Sequence, residues 1–493
     1  MPPPAVPSSG VMWKEWSGAA FARAREERKP VLLSISAAWC HWCHEMDRTS
    51  YADPEIAAII NDRFVPVRVD ADDRPDVSER YSLGGWPTTA FLTPAGEILA
   101  GGTFVPIERM RGVLAQVAEA FTSQPDRGVP ADVPQRAEES AETIDDKELT
   151  ARVFAAFDED YGGFGTEPKF PHPAPLNLAL EIFLENRDPS LERMIVESLD
   201  QIGWGGLYDT VDGGFFRYAT TRDWQLPHFE KLLDVNAALV RLFIEAGSKL
   251  QMPRFTERAG DTLRYIQNWL ADPVDGGWYG SQQADDRYYA ADSIEERRAL
   301  AAPAVARSLY ADSNAAMVSA ALAAASVFHD DGLRDFAVKS LERVLLACYK
   351  PGFGVAHYYD GQARVRGLLA DQFAMASASL DVFDLTGNVV YSMMAEELGH
   401  YAIRTLGDEE GGGFFDRSAD EPDAAIGLMR RRLKPFVTNC EASRTLIRLA
   451  ATSGEQDFAR IATRTLDAMR PIAPVQGVLA AHYLLAVRAA APR

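Results

Sequence analysis

The run Ala38-Trp39-Cys40-His41-Trp42-Cys43-His44 gathers two of the four cysteines, two of the eight histidines and two tryptophans into seven residues. A strand-like apolar run, Val31-Leu32-Leu33-Ser34-Ile35, precedes it, and Glu45-Met46 continues into a predicted helix. A Cys-x-x-Cys pair on a strand-to-helix turn sets its first sulfur against unpaired N–H groups and the positive end of the helix dipole, which favours a thiolate. On this reading Cys40 is an exposed nucleophile and Cys43 its resolving partner. Three other readings share these residues. Cys-x-x-Cys-His is also the c-type haem attachment pattern. That chemistry requires export, and Met1-Pro2-Pro3-Pro4-Ala5-Val6-Pro7 has neither a basic n-region nor an apolar h-region. Cys40, Cys43 and His44 are also zinc-ligand types, but a structural zinc usually takes four protein ligands and no second Cys/His cluster stands out. The plainest alternative is two inert buried thiols. Polar histidines beside an i, i+3 pair argue against it.

Composition narrows the classes. The chain has 493 residues, 47% hydrophobic and 25% charged, too long for one ordinary core. The net charge of −21 and the lack of a basic patch argue against nucleic acid. No uninterrupted apolar run has membrane-spanning length; the nearest, 314–328, is Ala-rich and suits a closely packed inner helix. Four cysteines do not make a disulfide framework, so the simplest expectation is a cytoplasmic setting in which the pair cycles.

The elements that must position the pair alternate over the first ~120 residues. A helix is expected over 19–28 and a buried strand over 31–35. Asp53-Pro54 is an N-cap followed by proline at the first helical position. Phe64 to Val69 alternates as a strand, Thr88 to Leu92 is another, 97–100 returns as a hairpin partner, and Arg109 to Phe121 closes with a helix. This is an α/β domain of thioredoxin size. Trp86-Pro87 stands directly before a strand, 44 residues after Cys43. Thioredoxin-like folds carry a cis-proline at that place, shaping the groove beside the attacking sulfur. Residues 123–147 are rich in Pro, Gly, Gln and charge and read as a linker.

Beyond the linker, amphipathic helices dominate. Leu176, Leu180, Phe183 and Leu184 share one face, as do Val338, Leu341, Leu345 and Cys348. Cys348 and Cys440 are expected to be buried, although Cys440 lies near a helix start. A Gly-Gly-aromatic phrase recurs at Gly162, Gly213, Gly276 and Gly411, with a degenerate copy at Gly352. The spacing is that of one helical hairpin per phrase, and six hairpins close into an α/α toroid over 148–493. Its inner helices would line a cup with the glycine-aromatic loops at the rim. Aromatic rims suit sugar rings, with Tyr208 and Trp278 among the candidates; packing of helix ends is the alternative. Acid/base candidates are Asp209, Asp212, Asp223, His228, Glu230, Asp234 and Asp275, with His172 as a further candidate base. No metal site or cofactor is expected.

Several phrases resemble one family. They are Cys40-His41-Trp42-Cys43-His44 with Met46, Val69-Asp70, Asp73-Arg74-Pro75-Asp76-Val77, Gly84-Gly85-Trp86-Pro87 and Phe91-Leu92-Thr93-Pro94. In the second part they are Gly162-Gly163-Phe164-Gly165, Pro168-Lys169-Phe170-Pro171, Asp212-Gly213-Gly214-Phe215, Pro227-His228-Phe229-Glu230-Lys231 and Asp312-Ser313-Asn314-Ala315. Together they are similar to the spermatogenesis-associated protein 20-like (YyaL-type) proteins. The resemblance implies a thioredoxin-like domain (1–122) joined to a six-hairpin glycosidase-like toroid, disulfide oxidoreductase chemistry in the first, and no settled substrate for the second.

The function expected is thiol–disulfide exchange. Cys40 attacks, Cys43 resolves, Pro87 shapes the groove, Trp39 covers the pair, and His41 makes it more oxidising than thioredoxin. The partner is a protein dithiol or disulfide. The alternative is a carbohydrate-active enzyme, an epimerase or glycosidase, binding a small sugar in the toroid with the redox domain as a regulator.

Overall fold

The computed structural model describes residues 10–123, 144–420, 423 and 425–491. The Met1–Pro7 reading, and all of the linker reading except its ends, lie outside the described residues. The chain divides into two units: Met1–Gln135 with Ala419–Arg432, and Arg136–Ser418 with Leu433–Arg493.

The first unit alternates β1 (Lys14–Glu15), α1 (Gly18–Glu27), β2 (Val31–Ser36), α2 (His41–Arg48), α3 (Pro54–Arg63), β3 (Val65–Asp70), α4 (Pro75–Tyr81), β4 (Thr88–Leu92), β5 (Ile98–Gly102) and α5 (Ile107–Ser123). The sheet order is β1-β3-β2-β4-β5. β2 runs parallel to β3, with Val31 opposite Val65, and antiparallel to β4, with Leu33 opposite Ala90. Strand β2 is central and buried on both faces, which is why its sequence is an unbroken apolar run. Helix α3 starts where expected: the Asp53 carboxylate accepts from the Glu55 and Ile56 N–H groups (2.9 Å each) ahead of Pro54. Leu32, Met46, Ile56, Ile60, Phe64, Phe91, Met110 and Leu114 fill the core on one side of the sheet.

A departure from the expected boundaries is the segment Ala419–Arg432. It sits late in the sequence yet packs within the first unit. The Tyr81 hydroxyl donates to the Gly96 carbonyl (2.8 Å) and accepts from the Leu428 N–H (2.9 Å). Arg74 holds Asp76 (2.9 Å) and Asp423 (2.6 Å), and Arg80 donates to the Arg431 carbonyl (2.7 Å). Nothing in local periodicity announces such a long-range contact.

The second unit is helical. In chain order it has α6 (Asp146–Phe154), α7 (Pro173–Asn186), α8 (Pro189–Trp204), α9 (Leu233–Lys249), α10 (Pro253–Trp269), α11 (Asp286–Tyr289), α12 (Ile294–Arg298), α13 (Ala311–Phe328), α14 (Asp331–Cys348), α15 (Leu369–Thr386), α16 (Val389–Leu406), α17 (Phe436–Ser453), α18 (Gln456–Met469) and α19 (Ala480–Ala490). The inner ring α7-α9-α13-α15-α17-α19 closes, because α19 packs back on α7. Outer helices α8, α10, α14, α16 and α18 pair with their inner neighbours, and α6 packs on α19, so the unit's first and last helices make the sixth hairpin. This is the expected (α/α)6 toroid. Ala311–Phe328 is long and apolar enough to cross a membrane by length and composition (18 residues, mean hydropathy 1.2). Here it is an inner helix, and its alanines let neighbours approach closely.

The recurring glycine phrases are the locks between hairpins. In four of them an aspartate, four residues before the first φ-positive glycine, closes a tight loop: Asp158/Gly162, Asp209/Gly213, Asp272/Gly276 and Asp408/Gly412. At Asp209, for example, the Gly213 N–H donates to its carbonyl and its own N–H donates to the Gly214 carbonyl (3.0 Å each). Each aspartate carboxylate meets a cation: Lys169 (2.6 Å), Lys231 (2.6 Å), Arg343 (2.8 Å) and Lys434 (2.6 Å). An inner-helix amide then holds the backbone of the aromatic: Asn236 on Phe215, Asn314 on Trp278 and Asn439 on Phe414. Gln372 does the same for Val355 beside the degenerate copy. Phe164, Phe215, Trp278 and Phe414 are all buried. The sugar-stacking expectation for this phrase therefore fails at Trp278: it packs edge-on against Phe336 (5.2 Å) inside the core.

Candidate functional site

The cysteine pair lies at the carboxyl end of β2. Cys40 is the N-cap of α2, and its Sγ accepts from the Cys43 N–H at 3.2 Å. Cys40 and Cys43 are joined as a disulfide, with their Cα atoms 5.3 Å apart. The His44 Nε2–H donates to the Ala38 carbonyl (2.9 Å), so in this state Cys40, Cys43 and His44 do not form the zinc arrangement. The Trp86–Pro87 peptide is cis. Trp39 and Trp86 meet edge to face at 5.6 Å, which ties the loop before Cys40 to the loop before Pro87. The Trp39 indole N–H donates to Asp72 (2.8 Å), so Trp39 serves as an anchor between loops. His41 is half-buried with its ring edge-on to Trp42 (5.3 Å). Trp42 is 47% exposed and touches Phe104.

One expectation changes. Cys40 is buried (5% exposed) in the bonded pair, not exposed at the helix head. Asp70, read only as part of a family-like phrase, has a role that sequence reasoning did not assign: it stands at the end of β3. Its carboxylate accepts from the Asp72 N–H (2.9 Å) and also faces the N–H groups of Asp73 and Ala38, bracing the loop that leads into Cys40. Burial, with the Asp73 carboxylate adding to it, pushes Asp70 up to about 6. Cys348 and Cys440 are both buried. Burial pushes the Cys348 thiol up to about 12 and raises Cys440 as well, so Cys440 gains nothing from its place in the first turns of α17.

In the toroid, a cavity of about 480 Å³ is enclosed by the amino-terminal halves of the inner helices. Its polar lining comprises Asn177, Arg241, Asp312, Ser319, Ser377, Thr438, Glu441, Arg444, Thr445 and His482. His482 Nδ1–H donates to Glu441 (2.7 Å). Burial pushes the Glu441 carboxyl up, but His482 and Arg444 outweigh it and hold it below the usual range. Asp234 stands one turn before Ala238 on the helix face that lines this cup. It is wetted yet ringed by protein, and that surrounding, with Asp312 nearby, raises its carboxyl.

None of the expected toroid residues, Asp234 included, is part of this cavity's lining. His172 is the N-cap residue of α7, half-buried and lowered by burial and then by His482. Phe170, Tyr218 and His228 form a stack (4.7 and 4.6 Å). Glu230 accepts from Arg217 (3.0 Å) and lies 3.7 Å from His228. Burial pushes Glu230 up, and His228 and Arg217 more than reverse it. Tyr208 is buried under Arg258, whose guanidinium sits 3.8 Å from the ring centre. Asp212 accepts from Arg297 (2.7 Å) and from the Tyr288 hydroxyl (3.0 Å). Tyr208 and Asp212 thus brace the Asp209 lock. Sequence reasoning missed Arg241, Glu441 and His482; only their common place on inner-helix faces could have revealed them.

It also expected no metal ligands. Asp312, His357 and Asp371, from α13, a strand at 354–359 and α15, bring one ligand atom each within 4.8 Å of one another.

The comparisons agree with this architecture. The family model Thioredox_DsbH, described as a protein of unknown function (DUF255), matches residues 6–141. The chain is 34% identical over 310 residues to spermatogenesis-associated protein 20 of Rattus norvegicus and 33% over 308 residues to that of Homo sapiens. Each match covers 56% of this chain but only 39% of the relative. The thiol:disulfide interchange protein DsbD of Ralstonia nicotianae is 32% identical over 96 residues, 19% of this chain and 16% of that protein. Among solved structures, cellobiose 2-epimerase of Bacillus thermoamylovorans has a TM-score of 0.52 at 11% identity, covering 65% of this chain and 86% of that one. A D-mannose isomerase has a TM-score of 0.52 at 13% identity, covering 66% and 83%. At such identity the likeness shows the helical toroid fold alone. The chain is thus similar in sequence to spermatogenesis-associated protein 20 and joins a thioredoxin-like domain to an (α/α)6 toroid.

Proposed function

We propose that the protein exchanges electrons with protein thiols and disulfides through Cys40 and Cys43. The observation that carries this reading is the Cys40–Cys43 bond set on the N-cap of α2, with the Cys40 sulfur on the Cys43 N–H. Once the pair is reduced, that N–H and the helix dipole favour negative charge on Cys40. The Cys40 thiolate attacks one sulfur of a substrate disulfide; a Cys40–substrate bond forms, and the second substrate sulfur leaves as a thiolate and takes a proton from water. Cys43 then loses its proton and attacks the Cys40 sulfur. The Cys40–Cys43 bond forms and the remaining substrate thiolate leaves. Two electrons have passed from the pair to the substrate, and a dithiol reductant restores them. The exposed face of Trp42 offers apolar surface to an extended partner. A cytoplasmic setting, where thiol pairs cycle, suits this role. Cys43→Ser should trap a mixed disulfide through Cys40 with a disulfide-bonded protein such as insulin. Failure to trap one, or equal trapping by Cys40→Ser, would overturn the proposal.

A second reading concerns the toroid. Its cup, with the Glu441–His482 pair and Arg241, has the size and polar lining for a small carbohydrate. A sugar-dependent rise in melting temperature that Glu441→Gln abolishes supports it; no rise across a panel of mono- and disaccharides removes it.

A further inference from the structure

We propose that Asp312, His357 and Asp371 hold a divalent metal ion of the zinc or manganese class in the wall of the toroid cup. The two aspartates stand in the first turns of α13 and α15, and an aspartate there is ordinarily explained by the helix dipole. Asp371 exceeds that explanation. It is 0% exposed, and although the Asp312 N–H faces the carboxylate, its Oδ2 closes no well-formed hydrogen bond among the described residues. A buried carboxylate oxygen left unpaired costs free energy that folding alone does not return. Its other oxygen, Oδ1, accepts from His357 Nδ1–H at 2.9 Å. His357 is itself buried (4% exposed), against the Tyr310 ring at 5.5 Å. Asp312 is oriented by its own turn, with Oδ1 accepting the Ser313 N–H (2.6 Å) and hydroxyl (3.2 Å).

Two carboxylates and an imidazole confined within 4.8 Å make a poor neutral cluster but a good cation trap. A divalent ion would neutralise both acids at once and take up the orphan oxygen. Ligands about 2.0–2.2 Å from a metal lie roughly 3–4 Å apart, a spacing that ligand atoms already within 4.8 Å of one another can meet; His357 would bind through the ring nitrogen that carries no proton, or release its Nδ1 proton to solvent as the ion enters. Mixed nitrogen and oxygen donors select zinc or manganese over the all-oxygen preference of calcium. Three protein ligands leave a coordination position open. Because Asp312 also lines the 480 Å³ cavity, that position would face the cup, where a water or the hydroxyl of a bound ligand could occupy it. The inference is independent of the cysteine chemistry, since it uses none of those residues.

The test uses the full chain with Cys40→Ser and Cys43→Ser, so that thiolates cannot bind metal. After chelation and dialysis, Co2+ is added as a spectroscopic stand-in for zinc, and Zn2+ and Mn2+ are titrated by calorimetry. The proposal expects about one equivalent bound, visible d–d bands from Co2+, and a loss of more than about tenfold in affinity in His357→Gln and in Asp312→Asn. Asp371→Asn is read by thermal shift: it should lose the metal-dependent rise. No binding in the parent, or bands and affinity unchanged in His357→Gln and Asp312→Asn, would overturn the proposal.

Discussion

Asp209 offers the sharpest test of the reassignment of the glycine loops from sugar contacts to structural locks. Its side chain is 1% exposed and lies between two cations: Lys231 Nζ at 2.6 Å and Arg297 Nη1 at 2.6 Å. Lys231 is fully buried, donates also to the Gly213 carbonyl (2.6 Å), and lies among the rings of Tyr265, Tyr289 and Phe216 at 4.3, 5.0 and 5.1 Å. Burial pulls Lys231 down to about 8, with Asp209 opposing the fall. Burial pushes Asp209 up, but Lys231 and Arg297 outweigh it. Asp209→Asn keeps the shape and removes the charge. Arg297 retains Asp212 (2.7 Å), so the group left uncompensated is Lys231. Breaking a buried pair in this way costs about 3–5 kcal/mol. At about 2.1 cal/mol/K per residue, a toroid of roughly 350 residues has an unfolding entropy of about 0.7 kcal/mol/K, so the melting temperature should fall by about 5 °C. The assay is calorimetry or far-UV circular dichroism of the full chain. Adding Lys231→Met should recover most of the loss, because the orphaned charge goes with it, giving a coupling of about 2–3 kcal/mol. A drop below about 1 °C in the single variant, or strictly additive losses in the double, would refute the reasoning.

Other outcomes follow from the same geometry. Gly214→Ala should destabilise by about 2–4 kcal/mol in urea titration, because φ there is +80° and an added Cβ would stand 2.3 Å from Tyr265 Cδ1. Tyr81→Phe removes the hydroxyl between Gly96 and Leu428; limited proteolysis should then cut Ala419–Arg432 several-fold faster. Asp70 gives a pH signature. Its folded pKa of about 6 lies above the unfolded value of about 3.9. The folded state therefore binds that proton more tightly, and the stabilisation is full below about pH 4 and lost as pH rises through 6. Wild type should lose up to about 3 kcal/mol relative to Asp70→Asn across that window, and parallel pH profiles would refute this.

Much of the architecture was legible because local rules agree with the fold. The unbroken apolar run of β2, the Asp53-Pro54 cap and the spacing from Cys43 to Pro87 each point to one arrangement, and each element appears within a few residues of its expected place. The six-hairpin count was legible from the glycine phrases, since each phrase is a hairpin junction. The role of those phrases was not. Only packing shows that Phe215 and Trp278 turn inward, where Asn236 and Asn314 hold their backbones. The cup residues were hidden for a related reason. Arg241, Glu441 and His482 come from three helices far apart in sequence, and single polar residues on apolar helices carry no local mark. His357 and Asp371 are 14 residues apart, meeting only because a strand folds back onto the start of α15. The burial of Cys40 was likewise set by tertiary neighbours that its own motif does not encode.

The most direct test of the account is a redox titration of the native chain against glutathione couples, with thiols labelled by mass-tagged alkylation. Thiols should appear together on Cys40 and Cys43 alone, in one two-electron transition with a midpoint less negative than thioredoxin's value of about −270 mV. The account would be contradicted if the Cys40–Cys43 bond stayed closed until the protein unfolded, or if Cys348 and Cys440 were labelled as readily as the pair.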